Sequence, residues 1–210
     1  MDANGVLPDF RGIAMHDCWA PYWRYDGLIH AICNIHLLRE LAGVEEFSPG
    51  HSWPKEFRDL LIAMKKARDK AIRKGLQELS DYYMRKFSSM YDQILNTAEQ
   101  ECPLPPNVPK KKGRKKKGKE RALIERLRKL KDAVCMFIHD FRVPFGNNQA
   151  EQDVRNVKTK IKVSGCFRTE SGAQDYLNIM SYLSTARKGA VGVFDALQAA
   201  FSGNAEIVLP

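Results

Sequence analysis

Two acids and a stripe of bases are the residues in this sequence best suited to chemistry. Asp17 closes the run "RGIAMHD", residues 11 to 17, and Glu151 lies within "VPFGNNQAEQDVRNVK", residues 143 to 158. Arg155 stands four residues after Glu151, where a helix would let the two pair, and Lys158 and Lys162 continue the stripe. A carboxylate at the carboxyl end of a strand can point into a crevice and hold a metal ion. It can equally be a turn aspartate ahead of Pro21, since Asp favours such positions. Glu151 has the same two readings. Asn148 is a good N-cap, Glu151 follows it by three positions as in a capping box, and an acid in the first turn suits the helix dipole. Yet Ala150, Val154, Val157 and Ile161 mark the face of that helix expected to be buried. Glu151 borders that face, about 100° around from Ala150. From there it could bind a metal while the basic stripe binds phosphate. The two roles compete, because a side chain folded back onto Asn148 cannot also reach a metal.

Other candidates carry less. "CNIH", Cys33 to His36, offers two metal ligands at short spacing. Zinc takes about four, and no second Cys/His pair at useful spacing is evident, so a buried thiol and a structural imidazole are the simpler reading. No motif supports Cys33 or Cys18 as a nucleophile. Trp19, Tyr22 and Trp23 could stack on bases, although aromatics so crowded more often pack a core.

The elements that must position these residues follow from periodicity. "RGIAMHD" and "LIHAICNI", residues 28 to 35, read as two buried strands on a short connector. From His36 onward the pattern is helical. Trp53, Phe57, Leu60, Leu61 and Met64 recur at helical spacing, as do Leu79, Tyr83, Phe87, Met90 and Ile94, so residues 53 to 95 predict an α-hairpin broken near Gly75 or one long helix. "CPLPPNVP", residues 102 to 109, excludes regular structure. Leu123 to Phe141 predicts one further helix. Another follows the 143–148 loop, and the turn "SGCFRTESG" leads to a helix through Ala173 and Leu183. A last helix spans about Val193 to Phe201. No internal repeat is present.

Composition limits the function classes. Hydrophobic residues make up 44% of the 210, enough for an interior and too many for a disordered chain. No apolar run approaches the roughly 18 residues that span a bilayer. The start "MDANGVLPDF" lacks the regions of a signal peptide. Five cysteines, an odd count, fit reduced thiols in a cytosolic protein. The net charge of +9 is concentrated. Residues 110 to 119, "KKKGRKKKGK", hold eight of the 34 basic residues and no acid, leaving 26 bases against 25 acids elsewhere. The run, with Lys110, Lys111, Lys112, Arg114, Lys115, Lys116 and Lys117, attracts polyanions, of which nucleic acid is the usual one. It can also be read as a solvated linker kept flexible by its own repulsion, and the two properties are compatible.

The blocks "GIAMHDCWAPYWRYDGLIHAICNIHLLREL" and "VPFGNNQAEQDVRNVKTKIKVSGCFRTESGAQ" resemble the insertion-sequence-66 family of bacterial transposases, and the similarity covers nearly the whole chain. The resemblance implies an Asp-Asp-Glu enzyme that cuts and joins DNA with two Mg²⁺ (or Mn²⁺) ions in the bacterial cytoplasm, associated with the nucleoid and without a membrane. Asp17 matches the second acid of the family. Glu151 matches the glutamate of its Asn-Asn-x-x-Glu-x-x-x-Arg pattern, and Arg155 the arginine. The implied fold is α/β and predominantly helical: a partial ribonuclease-H-like core of two strands plus a late helix, with a long helical insertion. Residues 1–35 are then the C-terminal strands of the core, 36–101 the insertion and 102–120 a Pro/Lys-rich linker. Residues 121–188 are the helices returning to the core, and 189–210 a C-terminal helix and tail.

One departure from the family matters. Its first acid lies on an earlier strand, and the sixteen residues before Asp17 hold only Asp2 and Asp9 in a loop-like stretch. The expectation is therefore a C-terminal portion with two of the three metal ligands, inactive or incomplete alone. An uncovered sheet edge would invite self-association or pairing with a full-length transposase. The competing class is a non-catalytic DNA-binding or regulatory protein derived from a transposase. A helical structural protein without a nucleic-acid role is a third.

Overall fold

Two short, mostly apolar runs, Ile-Ala-Met-His and Ile-His-Ala-Ile, form the strands, and longer runs with apolar residues every three to four positions form the helices. The computed structural model describes residues 6–104 and 118–205. Strand β1 is Ile13–His16 and β2 is Ile29–Ile32. They pair in parallel, with Ile13 opposite Ile29 and His16 opposite Ile32. Parallel neighbours need a crossover of about a dozen residues. Residues 17 to 28 supply it, through a 3-10 turn at Ala20–Arg24 that opens on Pro21. Among the described residues β1 has no strand partner on its other edge.

A short helix, α1 (Val6–Asp9), precedes β1. After β2 come α2 (Asn34–Phe47), α3 (Trp53–Arg73), α4 (Asp81–Glu101), α5 (Lys119–Lys129) and α6 (Lys131–His139). The hairpin expected over residues 53 to 95 is α3 and α4, extended to Glu101. It breaks where expected. Gly75 has φ +73°, a value glycine adopts without the clash a Cβ would bring, and Leu76 N–H returns to the Ala71 carbonyl at 3.1 Å. Glu101, at the far end of α4, accepts the Ser52 N–H at 3.0 Å and the Trp53 N–H at 3.3 Å. A carboxylate brought by tertiary structure thus satisfies the first amides of α3.

Helix α3 packs on α2 and α4, α5 on α4, and α6 on β2 and α3. One apolar cluster runs through all of them, from Ile32 through Trp53, Phe57, Tyr91 and Leu127 to Phe137. Inside it the Tyr91 hydroxyl donates to the Leu127 carbonyl at 2.8 Å, and burial pushes its pKa up.

The structure differs from the sequence reading at two points here. The second strand is shorter than residues 28 to 35, because Asn34 leaves the ladder. Its N–H donates to the Phe145 carbonyl at 3.0 Å and its side-chain amide to the Val134 carbonyl at 3.1 Å. The single helix expected from Leu123 to Phe141 is divided at Leu130, with φ −108° and ψ 23°. The bend lets α5 follow α4 while α6 turns onto β2.

The chain divides into two compact units, Met1–Asn147 and Asn148–Pro210. The second holds α7 (Asn148–Ser164), α8 (Glu170–Lys188) and α9 (Val193–Phe201). Gly165, at φ +77°, ends α7, and the Thr169 hydroxyl caps α8 by accepting the Gly172 N–H at 3.1 Å. Here too an expectation shifts. Of the apolar face predicted for α7, Val157 is half-buried, while Val154 and Ile161 are 49% and 44% exposed. Within its unit α7 packs on α8, and three helices are too few to enclose both sides of it. Among the described residues no helix is long and apolar enough to cross a membrane.

Candidate catalytic site and family membership

Asp17 leaves the sheet directly after β1, at its carboxyl edge. Ligands of parallel sheets collect at that edge because the strand ends there fan into loops. The side chain is exposed, and Oδ1 accepts the Trp19 N–H at 3.2 Å. The turn role read from sequence is therefore present. It uses one oxygen, and Oδ2 has no hydrogen-bond partner among the described residues. Cys18, next in the chain, has φ +70°, unusual for a residue with a side chain.

Beneath Asp17 lies a pair of histidines that sequence reasoning did not single out. His16 is buried, with Nε2 3.0 Å from His30 Nδ1, and Nδ1 accepts the Cys18 N–H at 3.2 Å. That contact fixes the tautomer: Nδ1 is the acceptor, so Nε2 carries the proton and donates to His30. Tyr22 stacks on His16 at 4.6 Å and Trp23 meets it edge-on at 5.0 Å. Burial, and then the neighbouring His30, lower the His16 pKa to about 4, while Asp17 opposes the shift. Trp23 packs against the core as expected, Tyr22 is spent on His16, and Trp19 stands 56% exposed. The alternation of His16 and His30 with apolar neighbours in paired strands was the available signal.

The loop that precedes α7 is held at the same edge. Cys33 follows β2 and is fully buried; its N–H donates to the His16 carbonyl at 2.9 Å and its Sγ accepts the Asn147 N–H at 3.2 Å. Asn34 holds the Phe145 carbonyl. A Cβ on Gly146 would lie 2.5 Å from Cδ1 and 2.6 Å from Cγ1 of Ile35, so the loop approaches closer than any other residue permits. Residues 145 to 147 are thus fastened to the carboxyl end of β2, next to β1 and Asp17. Cys33 is a buried packing thiol, and half-buried His36 donates its N–H to the Cys33 carbonyl at 3.1 Å.

Four residues beyond Asn147 in the sequence comes Glu151, half-buried in the first turn of α7, which begins at Asn148. Arg155, Lys158 and Lys162 are exposed along α7. Asp153 of α7 accepts from Lys188 Nζ at 2.7 Å and Ser184 Oγ at 2.6 Å, contacts that hold its carboxyl below the usual range. The basic residues Lys110, Lys111, Lys112, Arg114, Lys115, Lys116 and Lys117 lie outside the described residues. Lys119, at the start of α5, is exposed.

These features define a predominantly helical α/β protein with an acid at the carboxyl edge of a parallel strand pair and a second acid at the head of a late helix. The family model described as Transposase IS66 family matches residues 2–175, and the chain belongs to that family. Neither a curated protein nor a solved structure shows a match to it.

Proposed function

We propose that this chain works in DNA transposition, with Asp17 and Glu151 as two of the carboxylates that hold divalent metal at the catalytic centre. One observation supports the pairing most directly. Asp17 follows β1 at the carboxyl edge of the sheet, and the loop that leads to Glu151 is pinned to that edge by Cys33, Asn34 and Ile35. The donors also suit the ion, because hard cations such as Mg²⁺ or Mn²⁺ prefer carboxylate oxygen, and Asp17 keeps one oxygen beyond its turn. Bound there, two such ions would offset the charge that builds on the attacking and leaving oxygens of a phosphodiester.

The chain's own residues do the rest. Asp17 is oriented by its turn on Trp19. Neutral His16 adds no charge to compete with a cation. Arg155, Lys158 and Lys162 grip backbone phosphates and set the position of the DNA without reading its sequence. The run from Lys110 to Lys117 adds a further phosphate tether.

Titration of the full chain with Mn²⁺, followed by electron paramagnetic resonance, tests the metal pair. Asp17→Asn and Glu151→Gln are each expected to weaken binding by about tenfold or more, the effect of losing one of few charged ligands, and Asp59→Asn on α3 to leave it unchanged. Equal binding in all three variants would refute the pairing. A second reading rests on the basic run: a non-catalytic DNA-binding or regulatory protein. It predicts DNA affinity that survives Glu151→Gln and is lost on deleting residues 110 to 119, together with no metal binding at Asp17.

A further inference from the structure

A second group of ligand-type side chains lies well inside the first unit, away from the sheet edge. His51 sits in the α2–α3 turn, Cys102 just past α4, and Glu120 in the first turn of α5. His51 Nδ1 is 2.6 Å from Glu120 Oε1 and 3.6 Å from Cys102 Sγ, and the three ligand atoms all fall within 4.8 Å of one another. Zinc bonds of about 2.3 Å to sulfur and 2.0 Å to nitrogen in a tetrahedron set S and N about 3.5 Å apart, close to the separation observed. The N···O pair would open by about 0.7 Å to admit an ion in place of its shared proton. His51 and Glu120 keep 29% and 17% of their side-chain surface in solvent, which leaves a path for entry and for a water ligand.

Partners outside the trio also fit. Trp53 Nε1–H donates to Glu120 Oε1 at 2.8 Å and Ser48 Oγ donates to Oε2 at 3.1 Å. Such outer contacts orient a metal-binding carboxylate and fix its ligand atoms in place.

We infer that His51, Cys102 and Glu120 form a zinc-binding site, with a water molecule as the fourth ligand. The thiolate excludes Mg²⁺ and Ca²⁺ as the preferred ion, and one sulfur, one imidazole nitrogen and one carboxylate oxygen suit Zn²⁺. On binding, the Cys102 S–H proton leaves to solvent. The Nδ1 proton that His51 shares with Glu120 moves by way of solvent to Nε2, so the imidazole stays neutral and no second proton is released. The site has a consequence for the basic run. Cys102 and Glu120 flank residues 103 to 119, so one ion would fasten both ends of the lysine-rich segment to His51. Neither this trio nor its role depends on the assignment of Asp17 and Glu151.

The test uses the full chain with its thiols reduced, and Co²⁺ as the spectroscopic stand-in for Zn²⁺. One thiolate-bound Co²⁺ per chain is expected, with a thiolate-to-cobalt charge-transfer band and the intense visible bands of a tetrahedral ion, both removed by added Zn²⁺. The band should disappear in Cys102→Ser and persist in Cys33→Ser. Release of one thiol proton predicts affinity rising on the order of tenfold per pH unit below the thiol pKa. In the unaltered chain, Zn²⁺ should protect Cys102 from iodoacetamide while leaving exposed Cys166 reactive, as read by peptide mass; this measurement does not depend on any variant folding. A cobalt spectrum without a thiolate band, a band that survives Cys102→Ser, or Cys102 alkylation unaffected by Zn²⁺ would each overturn the site and leave the trio as a hydrogen-bonded cap on α5.

Discussion

At the scale of the residue, the sheet edge is organised by charge that is absent as much as by charge that is present. His16 lies under Asp17 and stays neutral because burial disfavours the imidazolium. Its folded pKa of about 4 lies below the ordinary 6.5. Between those values the unfolded chain takes up a proton that the folded chain refuses. Stability is therefore expected to fall as pH drops from 6.5 to 4, with this contribution flat above 6.5. Imidazole NMR checks the cause: His16 should keep the signature of a neutral Nε2–H tautomer at pH 5, and a titration near 6.5 would contradict the packing described. Asn34 is the second residue on which much depends. It is fully buried, and its two donors hold α6 and the 145–147 loop. Asn34→Ala should cost about 1–3 kcal/mol in denaturant unfolding, the usual penalty for losing a buried polar link.

Elements are set here by fasteners from outside themselves. Helix α3 has its first amides satisfied by Glu101 of α4, and α5 begins with a glutamate held by Ser48, His51 and Trp53. The loop between α6 and α7 is held in the same way, by the Cys33 thiol, the Asn34 N–H and one close approach to Ile35. Gly146→Val would drive a side chain into Ile35. The expected loss is about 1–3 kcal/mol, typical of overpacking, seen as a lower Tm. If Asp17 and Glu151 act together, Mn²⁺ affinity should fall with it, since the substitution displaces the loop that introduces α7. Retained stability with lost Mn²⁺ affinity would place the effect at the site alone, whereas retained values of both would show that the loop tolerates displacement. The exposed apolar stripe of α7, with Val154 at 49% and Ile161 at 44%, is also an element-scale fact: its helical period is plain, but α8 covers only part of it.

For the whole molecule, the expectations concern DNA. Deleting residues 110 to 119 removes eight cations, so the slope of log affinity against log salt for duplex DNA should shrink by at most about 7, and an unchanged slope would remove the run from the interface. Much of this protein was legible in its sequence. The Asn-Asn-x-x-Glu-x-x-x-Arg block and the strand ending at Asp17 pointed to the family, and periodicity located the α3–α4 hairpin and its break at Gly75, because these depend on local spacing and backbone freedom. What only the tertiary structure decided are meetings between distant residues. His16 with His30, Asn147 on Cys33, and His51 with Cys102 and Glu120 are separated by 14 to 114 positions, and no local pattern records them. Secondary structure follows from interactions within a few residues, whereas these contacts exist only once burial of the shared apolar cluster has brought β2 and the ends of α2 to α6 together.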